Sequence, residues 1–231
     1  MRPSSHITLF AASSLLSVTT QAAVITWNAA PSPVNTASDI LSIGAPASDI
    51  TYTHDIWPSG TADNLASGGA VNYGPDAATV NGVSFTAGGG SGDFWSADSG
   101  DVGLNNILGY HAAFGNDSDP WVLVISGLSE NTAYMIQIIG IHDERGGGIS
   151  DRTYSFQDTD GGAASPTLQR GTGGSVIGSF TTGSGETSIQ INGLGSSDPG
   201  AAGVVVRAVP EPGSLALLIT GGLVMLHRRR N

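Results

Sequence analysis

The chain has 231 residues and a formal net charge of −11, with no cysteine and no lysine. Neither a disulfide nor a cysteine-ligated metal site can form, so stability has to come from packing. Between Val24 and Val209 eighteen carboxylates face only Arg145, Arg152, Arg170 and Arg207, a net charge of −14; such a surface repels phosphate backbones and has no basic stripe, which excludes nucleic acid as a partner.

The chain opens with "MRPSSHITLFAASSLLSVTTQAA". Arg2 is followed by an apolar run from Ile7 to Val18, and Thr20-Gln21-Ala22 puts small residues at −3 and −1 of a cleavage site. Charge, apolar run and small-residue site in that order predict a signal peptide over residues 1–22. Signal peptidase is then a processing partner, and the exported chain starts at Ala23 or Val24. The run is shorter than the roughly 20 apolar residues of a spanning helix, and Ser and Thr interrupt it.

Residues 23–208 have the texture of one all-β domain. Short β-branched and aromatic runs alternate with Gly, Asn, Asp and Ser clusters. Strands are expected near Ala23–Trp27, Ile50–His54, Ala78–Phe85, Ile107–His111, Trp121–Ser126 and Tyr134–His142. Further strands are expected near Arg152–Gln157, Ser175–Thr181, Thr187–Asn192 and Gly203–Ala208. "TYSFQ" and "TSIQI" alternate as half-buried strands do, whereas "VLVIS" and "MIQIIGI" are apolar enough to be central. Asn81-Gly82 suits a tight hairpin turn. The polar stretch "SGLSENTAY" predicts that Trp121–Ser126 and Tyr134–His142 pair as a hairpin. Pro31–Gly74, rich in Ala, Ser, Pro and Gly, reads as long loops. Ten short strands without an amphipathic helix predict a single β-sandwich, and a jelly roll of the galactose-binding type is the specific expectation.

The densest polar cluster is "HDERGGGISDR" at 142–152, holding Asp143, Glu144, Arg145, Asp151 and Arg152. Its side chains can line a loop-end pocket, since carboxylates and guanidinia both make paired hydrogen bonds to sugar hydroxyls. Alternatively, Arg145 or Arg152 pairs with Asp143 or Asp151 and ties down the loop. Trp95, in "GDFWSADSGD", is either a stacking platform for a sugar or part of the core; Trp27 and Trp121, at strand starts, read as core. Asp143 and Glu144 are neighbours on a strand and point to opposite faces, a poor acid/base pair for glycoside chemistry. No G-x-S-x-G elbow is present, so no enzyme activity is expected. "DTDGG" at 158–162 resembles part of a calcium loop but lacks the third ligand position, and an Asx turn is the better reading. No cofactor is expected, with one structural Ca²⁺ left open.

The tail reads "AVPEPGSLALLITGGLVMLHRRRN". Leu215–Leu226 is apolar, and the arginines behind it would stay cytoplasmic, leaving the preceding domain outside the membrane. This run lies at the short limit for a lasting span. Pro210-Glu211-Pro212, an apolar helix and Arg228-Arg229-Arg230, in that order over 209–231, resemble the PEP-CTERM sorting signal of exported bacterial proteins. That resemblance implies recognition by an exosortase, cleavage near the Pro-Glu-Pro, transient anchoring in the inner membrane, and a final place on the envelope surface or outside the cell. "VNGVSF", "WVLVISGLSENTAYMIQIIGIHDERGG", "DRTYSF", "SVIGSFTT" and "SIQI" likewise resemble the β-sandwich domain of many PEP-CTERM proteins, for which exopolysaccharide binding is the usual suspicion. The expected function is therefore a non-enzymatic envelope or matrix protein associated with polysaccharide. The alternatives are a secreted glycan hydrolase and a purely structural matrix protein.

Overall fold

The computed structural model describes residues 23–36, 39–40, 50–53, 77–80, 82–87, 90–93, 110–113, 118–144, 147–195 and 198–209. The expected signal peptide, the C-terminal helix with its Pro-Glu-Pro and arginines, Trp57, Trp95 and Arg145 lie outside them.

Thirteen strands form two antiparallel sheets among the described residues. The first sheet contains β1 (Thr26–Trp27), β11 (Ser175–Thr181), β8 (Ala133–Gly140), β13 (Gly200–Ala208), β6 (Tyr110–Ala113) and β5 (Gly90–Asp93) in that order. β2 (Ile50–Thr53) pairs with β13 further along the edge that β6 occupies. The second sheet runs β10 (Leu168–Gln169), β9 (Thr153–Asp158), β12 (Ser188–Gly195), β7 (Trp121–Ser126), β4 (Val83–Ala87) and β3 (Ala77–Val80).

The two inner faces meet in one core. Phe85, Leu123, Ile125, Phe156, Ile189 and Ile191 come from the second sheet, and Ile136, Ile138, Val176, Phe180, Val204 and Val206 from the first. Each such side chain, fully buried, contributes about 1.5–3 kcal/mol. Trp121 meets Phe156 edge-on with centroids 6.1 Å apart, and Phe156 meets Tyr154 edge-on at 5.7 Å. Trp121 is thus core, and Trp27 packs against the core from its margin.

The apolar character of "MIQIIGI" has a specific cause. Ile136 and Ile138 face the core, while Gln137 and Ile139 on the opposite face are buried too. The N-terminal segment lies over that outer face: Gln137 Nε2 donates to the Asp39 carbonyl and to Ser175 Oγ, each at 2.9 Å. Ser32 and Ser175 exchange a pair of 2.8 Å backbone bonds. "VLVIS", by contrast, alternates strictly, with Val122 and Val124 only half-buried.

Two expectations need correction. β7 and β8 do not form a hairpin: β7 pairs with β12 and β4, and β8 with β11 and β13, in opposite sheets. Their apolar faces look at each other across the core, and the connection crosses it with Leu128 buried and Gly127 at φ 83°. The segment expected as one strand at 78–85 is two, β3 and β4, which pair across the expected tight turn with Gly82 at φ 85°.

The strand directions define two poles. At one end lie the start of β8, the ends of β11 and β13, and the turn before β12. There Val209 N donates to Ala133 O, Asn131 N to Gly183 O and Ala23 N to Glu186 Oε1. Both ends of the described chain therefore leave from the same pole. Tyr134, near the start of β8, accepts a hydrogen bond on its hydroxyl from Ser129 N at 2.8 Å, the tie called a tyrosine corner in Greek-key sandwiches. At the other end, roughly 25 Å away by strand rise over β8, lie residues 141–144, 147–152, 170–174 and 198–200.

Candidate functional site

This far pole holds the described members of the polar cluster. β8 ends at Gly140, where a Cβ would collide with the Tyr154 hydroxyl and the Leu168 side chain. The absence of a side chain lets β8 run against β9 and β10 before the chain turns. Ile141 N then donates to the Tyr154 hydroxyl at 2.6 Å, Gly140 N to Gly174 O at 2.8 Å and Asp143 N to Arg170 O at 2.9 Å. Tyr154 is buried, which pushes its phenol well above the ordinary range, against the pull of the Ile141 bond and the Arg170 charge.

Asp143 is fully buried, and its Oδ2 lies 3.7 Å from Arg170 Nη1. Arg170 is only 2% exposed, and its Nη2 also donates to the Asp198 carbonyl. Burial lowers the Arg170 pKa and the Arg152 charge adds to that, whereas Tyr154, Asp198 and Asp143 raise it; a guanidinium in such company stays protonated. Arg152 Nη1 donates to Asp198 Oδ2 at 2.5 Å. Asp198 sits between β12 and β13 at φ 48°, a left-handed conformation that Asp tolerates better than most residues. Arg145, one of the two arginines expected to tie down the loop, lies outside the described residues. Asp143 is matched by Arg170 and Arg152 by Asp198, two partners outside the 142–152 segment.

The remaining described members reach the surface to different degrees, Glu144 being exposed and the His142 side chain only 13% exposed. Glu144 Oε1 lies 3.1 Å from His142 Nε2. Asp151 is exposed in the turn before β9. The Arg152 and Asp198 side chains are each 31% exposed. The pole is therefore layered: a sealed Asp143–Arg170–Tyr154 base carries a surface of Arg152, Asp198, His142 and Glu144. That surface offers guanidinium donors beside carboxylate acceptors, a set suited to vicinal hydroxyls. Asp143 and Glu144, one sealed and one exposed, do not face each other.

Arg170 and Asp198 were missed as site residues. Arg170 had one usable signal, its rarity as one of four cations in the domain. Asp198 had none, being brought in from 46 residues beyond Arg152.

At the opposite pole the calcium-like loop proves to be an Asx-type turn. Asp158 Oδ1 accepts from Asp160 N and Gly162 N at 3.0 and 2.9 Å, and Oδ2 from Ile25 N at 2.9 Å. No group of three or more His, Asp or Glu side chains placed to hold a metal occurs among the described residues. An open groove of about 920 Å³ crosses the outer face of the first sheet near this pole, lined by Val24, Thr26, Met135, Ile177 and Val209 among others.

Fold and site define a class: an all-β sandwich of two antiparallel sheets with a polar far pole. No protein-family model matches the chain. No curated protein matches it. Among solved structures it is similar to the crystal structure of the ANX2 ectodomain from Arabidopsis thaliana, at 10% identity and a TM-score of 0.48. The match covers 71% of this chain and 50% of that one, so the chain spans about half that structure's length.

Proposed function

We propose that the chain is an exported, non-enzymatic jelly roll, sorted through its PEP-CTERM tail and associated with polysaccharide at the envelope surface or in the extracellular matrix. The jelly-roll reading rests on strand order: β2 or β6, then β13, β8 and β11, stack against β7, β12, β9 and β10, a two-sheet Greek-key wrap. Export rests on the N-terminal pattern of Arg2, the apolar run and Ala22, and sorting on Pro210-Glu211-Pro212 with Arg228–Arg230. The observation that carries the whole is the opposition of the poles. Ala23 and Val209 leave from one end of β8, and Arg152, Asp198, His142 and Glu144 surround the other. A chain tethered by its tail would hold that polar surface away from the membrane, where glycans are. A sealed Asp143 and an exposed Glu144 do not make the two carboxyls facing one bond that a glycosidase needs.

The test uses the full-length exported protein on a glycan array, with Arg152→Ala beside it. Binding that falls at least about tenfold in the variant supports the far pole as the site. Binding unchanged in Arg152→Ala removes that pole from the proposal. Silence from a folded protein leaves the structural matrix role. Alanines at Pro210–Pro212 should leave the chain in the membrane fraction; unchanged release would overturn sorting through the tail.

A further inference from the structure

The backbone nitrogen of Ala23 lies 2.6 Å from Glu186 Oε1, while Glu186 Oε2 accepts from Gly183 N at 2.7 Å. The Ala23 side chain is buried in the core cluster, so the nitrogen is held from both sides. Glu186 belongs to the turn between β11 and β12, a place with no sequence relation to residue 23. The same corner is crowded with negative charge. Asp158 binds Ile25 N, and the Asp160 carboxyl is raised first by burial and then by repulsion from Asp158 and Glu186. Ala22 is also the last residue of the expected signal peptide. The residue at which the leader would be cut is thus the residue whose nitrogen a carboxylate already holds.

We infer that removal of the leader creates an ion pair: the new α-ammonium of Ala23 docks on Glu186 and locks the N-terminal segment onto the sandwich. This rests on the exported reading above. Hydrolysis of the Ala22–Ala23 peptide bond consumes one water, leaving a carboxylate on Ala22 and an ammonium on Ala23. Before the cut, the Ala23 amide, itself uncharged, gives the Glu186 carboxylate one hydrogen bond. After it, the same nitrogen carries a full charge and three donors, and the bond becomes an ion pair with charge on both partners. The positive charge also enters the corner where three carboxylates gather. Completion of the fold is thereby coupled to export, because the unprocessed chain cannot form the pair.

The sequence supplies a clean probe. There is no lysine, so the α-amine is the chain's one amine and an acetylating N-hydroxysuccinimide ester has a single amine to modify. The experiment takes the full chain as exported by its host and acetylates it folded and in urea. Mass spectrometry of the N-terminal fragment gives both its first residue and the extent of acetylation. The expected result is a fragment beginning at Ala23, acetylated roughly tenfold more slowly in the folded protein, with Glu186→Gln removing most of that protection. Acetylated wild-type protein should also melt at a lower temperature than unmodified protein, a readout that needs no variant to fold. Equal rates in folded and unfolded protein, with Ala23 as the first residue, would overturn the docking alone. A first residue of Val24 would overturn the docking and leave removal of the leader standing, residues retained ahead of Ala23 would overturn both, and the fragment mass distinguishes these failures.

Discussion

The two poles of the sandwich solve one problem in different ways. An acidic chain with few cations has to place carboxylates inside its structure, and an unpartnered buried carboxylate is expensive. At the pole where both ends of the described chain leave, backbone N–H groups do the work: Asp158 accepts three and Glu186 two. Main-chain donors need no arginine, and most of these lie within four residues of the carboxylate that uses them. The far pole spends two of the domain's four arginines on Asp143 and Asp198. Scarce cations are placed where loops distant in sequence have to be joined. Local turns, in contrast, close on their own backbone.

The sharpest way to break this comparison is to remove the cation that the far pole depends on. Arg170→Met should destabilise the protein by about 3–5 kcal/mol, because Asp143 is left as a buried charge without its guanidinium. Chemical unfolding of the full chain measures it. Arg170→Met combined with Asp143→Leu should recover most of the loss, since an apolar pair can replace a buried ion pair at little cost. A loss near zero for the single variant would mean that the backbone bonds around residues 140–143 hold the pole unaided.

The near pole should give less. Asp158→Asn keeps the shape of the side chain but turns one acceptor oxygen into an NH₂ group facing backbone donors. A cost of about 1.5–3 kcal/mol is expected, the range for hydrogen bonds to a charged group. Hydrogen exchange should show the effect either at Ile25 or at Asp160 and Gly162, according to which of the two oxygens the NH₂ group replaces. If the loss matched that of Arg170→Met, backbone donors and arginines would be equally hard to replace, and the contrast between the poles would fall.

Legibility in the sequence follows the same division between local and distant. The bounds of β7 and β11 match the expected strands residue for residue, because β-branched and aromatic residues recur there between Pro120 and Gly127 and between Gly173-Gly174 and Thr182-Gly183. β5 was missed since "GSGD" has no side-chain pattern to read, and β10 because two residues make no period. Periodicity reports which face of a strand is buried but not which sheet it joins, and so β7 and β8 looked like a hairpin. The candidate site shows the same limit. Asp143, Glu144 and Arg152 were legible as one dense segment. Arg170 and Asp198, 28 residues apart, meet only because β10 and the β12–β13 connection end at the same pole.

The smallest expected effect separates charge crowding from hydrogen bonding at the near pole. The Asp160 carboxyl is raised by burial, then by Asp158 and Glu186, and Asp160 accepts nothing that would repay its charge in the bonds described there. A carboxyl whose folded pKa exceeds its unfolded value of about 3.9 destabilises the fold when ionised. Asp160→Asn should therefore stabilise the protein at neutral pH, by about 0.5 kcal/mol or less for so exposed a group. The gain should shrink as pH falls through the raised folded value and be gone once pH is below about 3.9, where both states carry the proton. Thermal unfolding from pH 3 to 7 (roughly spanning those values) would show it as two curves that converge in acid. The Ala23 ammonium sharpens the expectation. Once it sits among these carboxylates, part of the repulsion is already relieved, so the gain from Asp160→Asn should be larger in chains whose α-amine has been acetylated. Equal gains in the two would place the crowding between Asp160 and Asp158 alone, outside the reach of the chain's first residue.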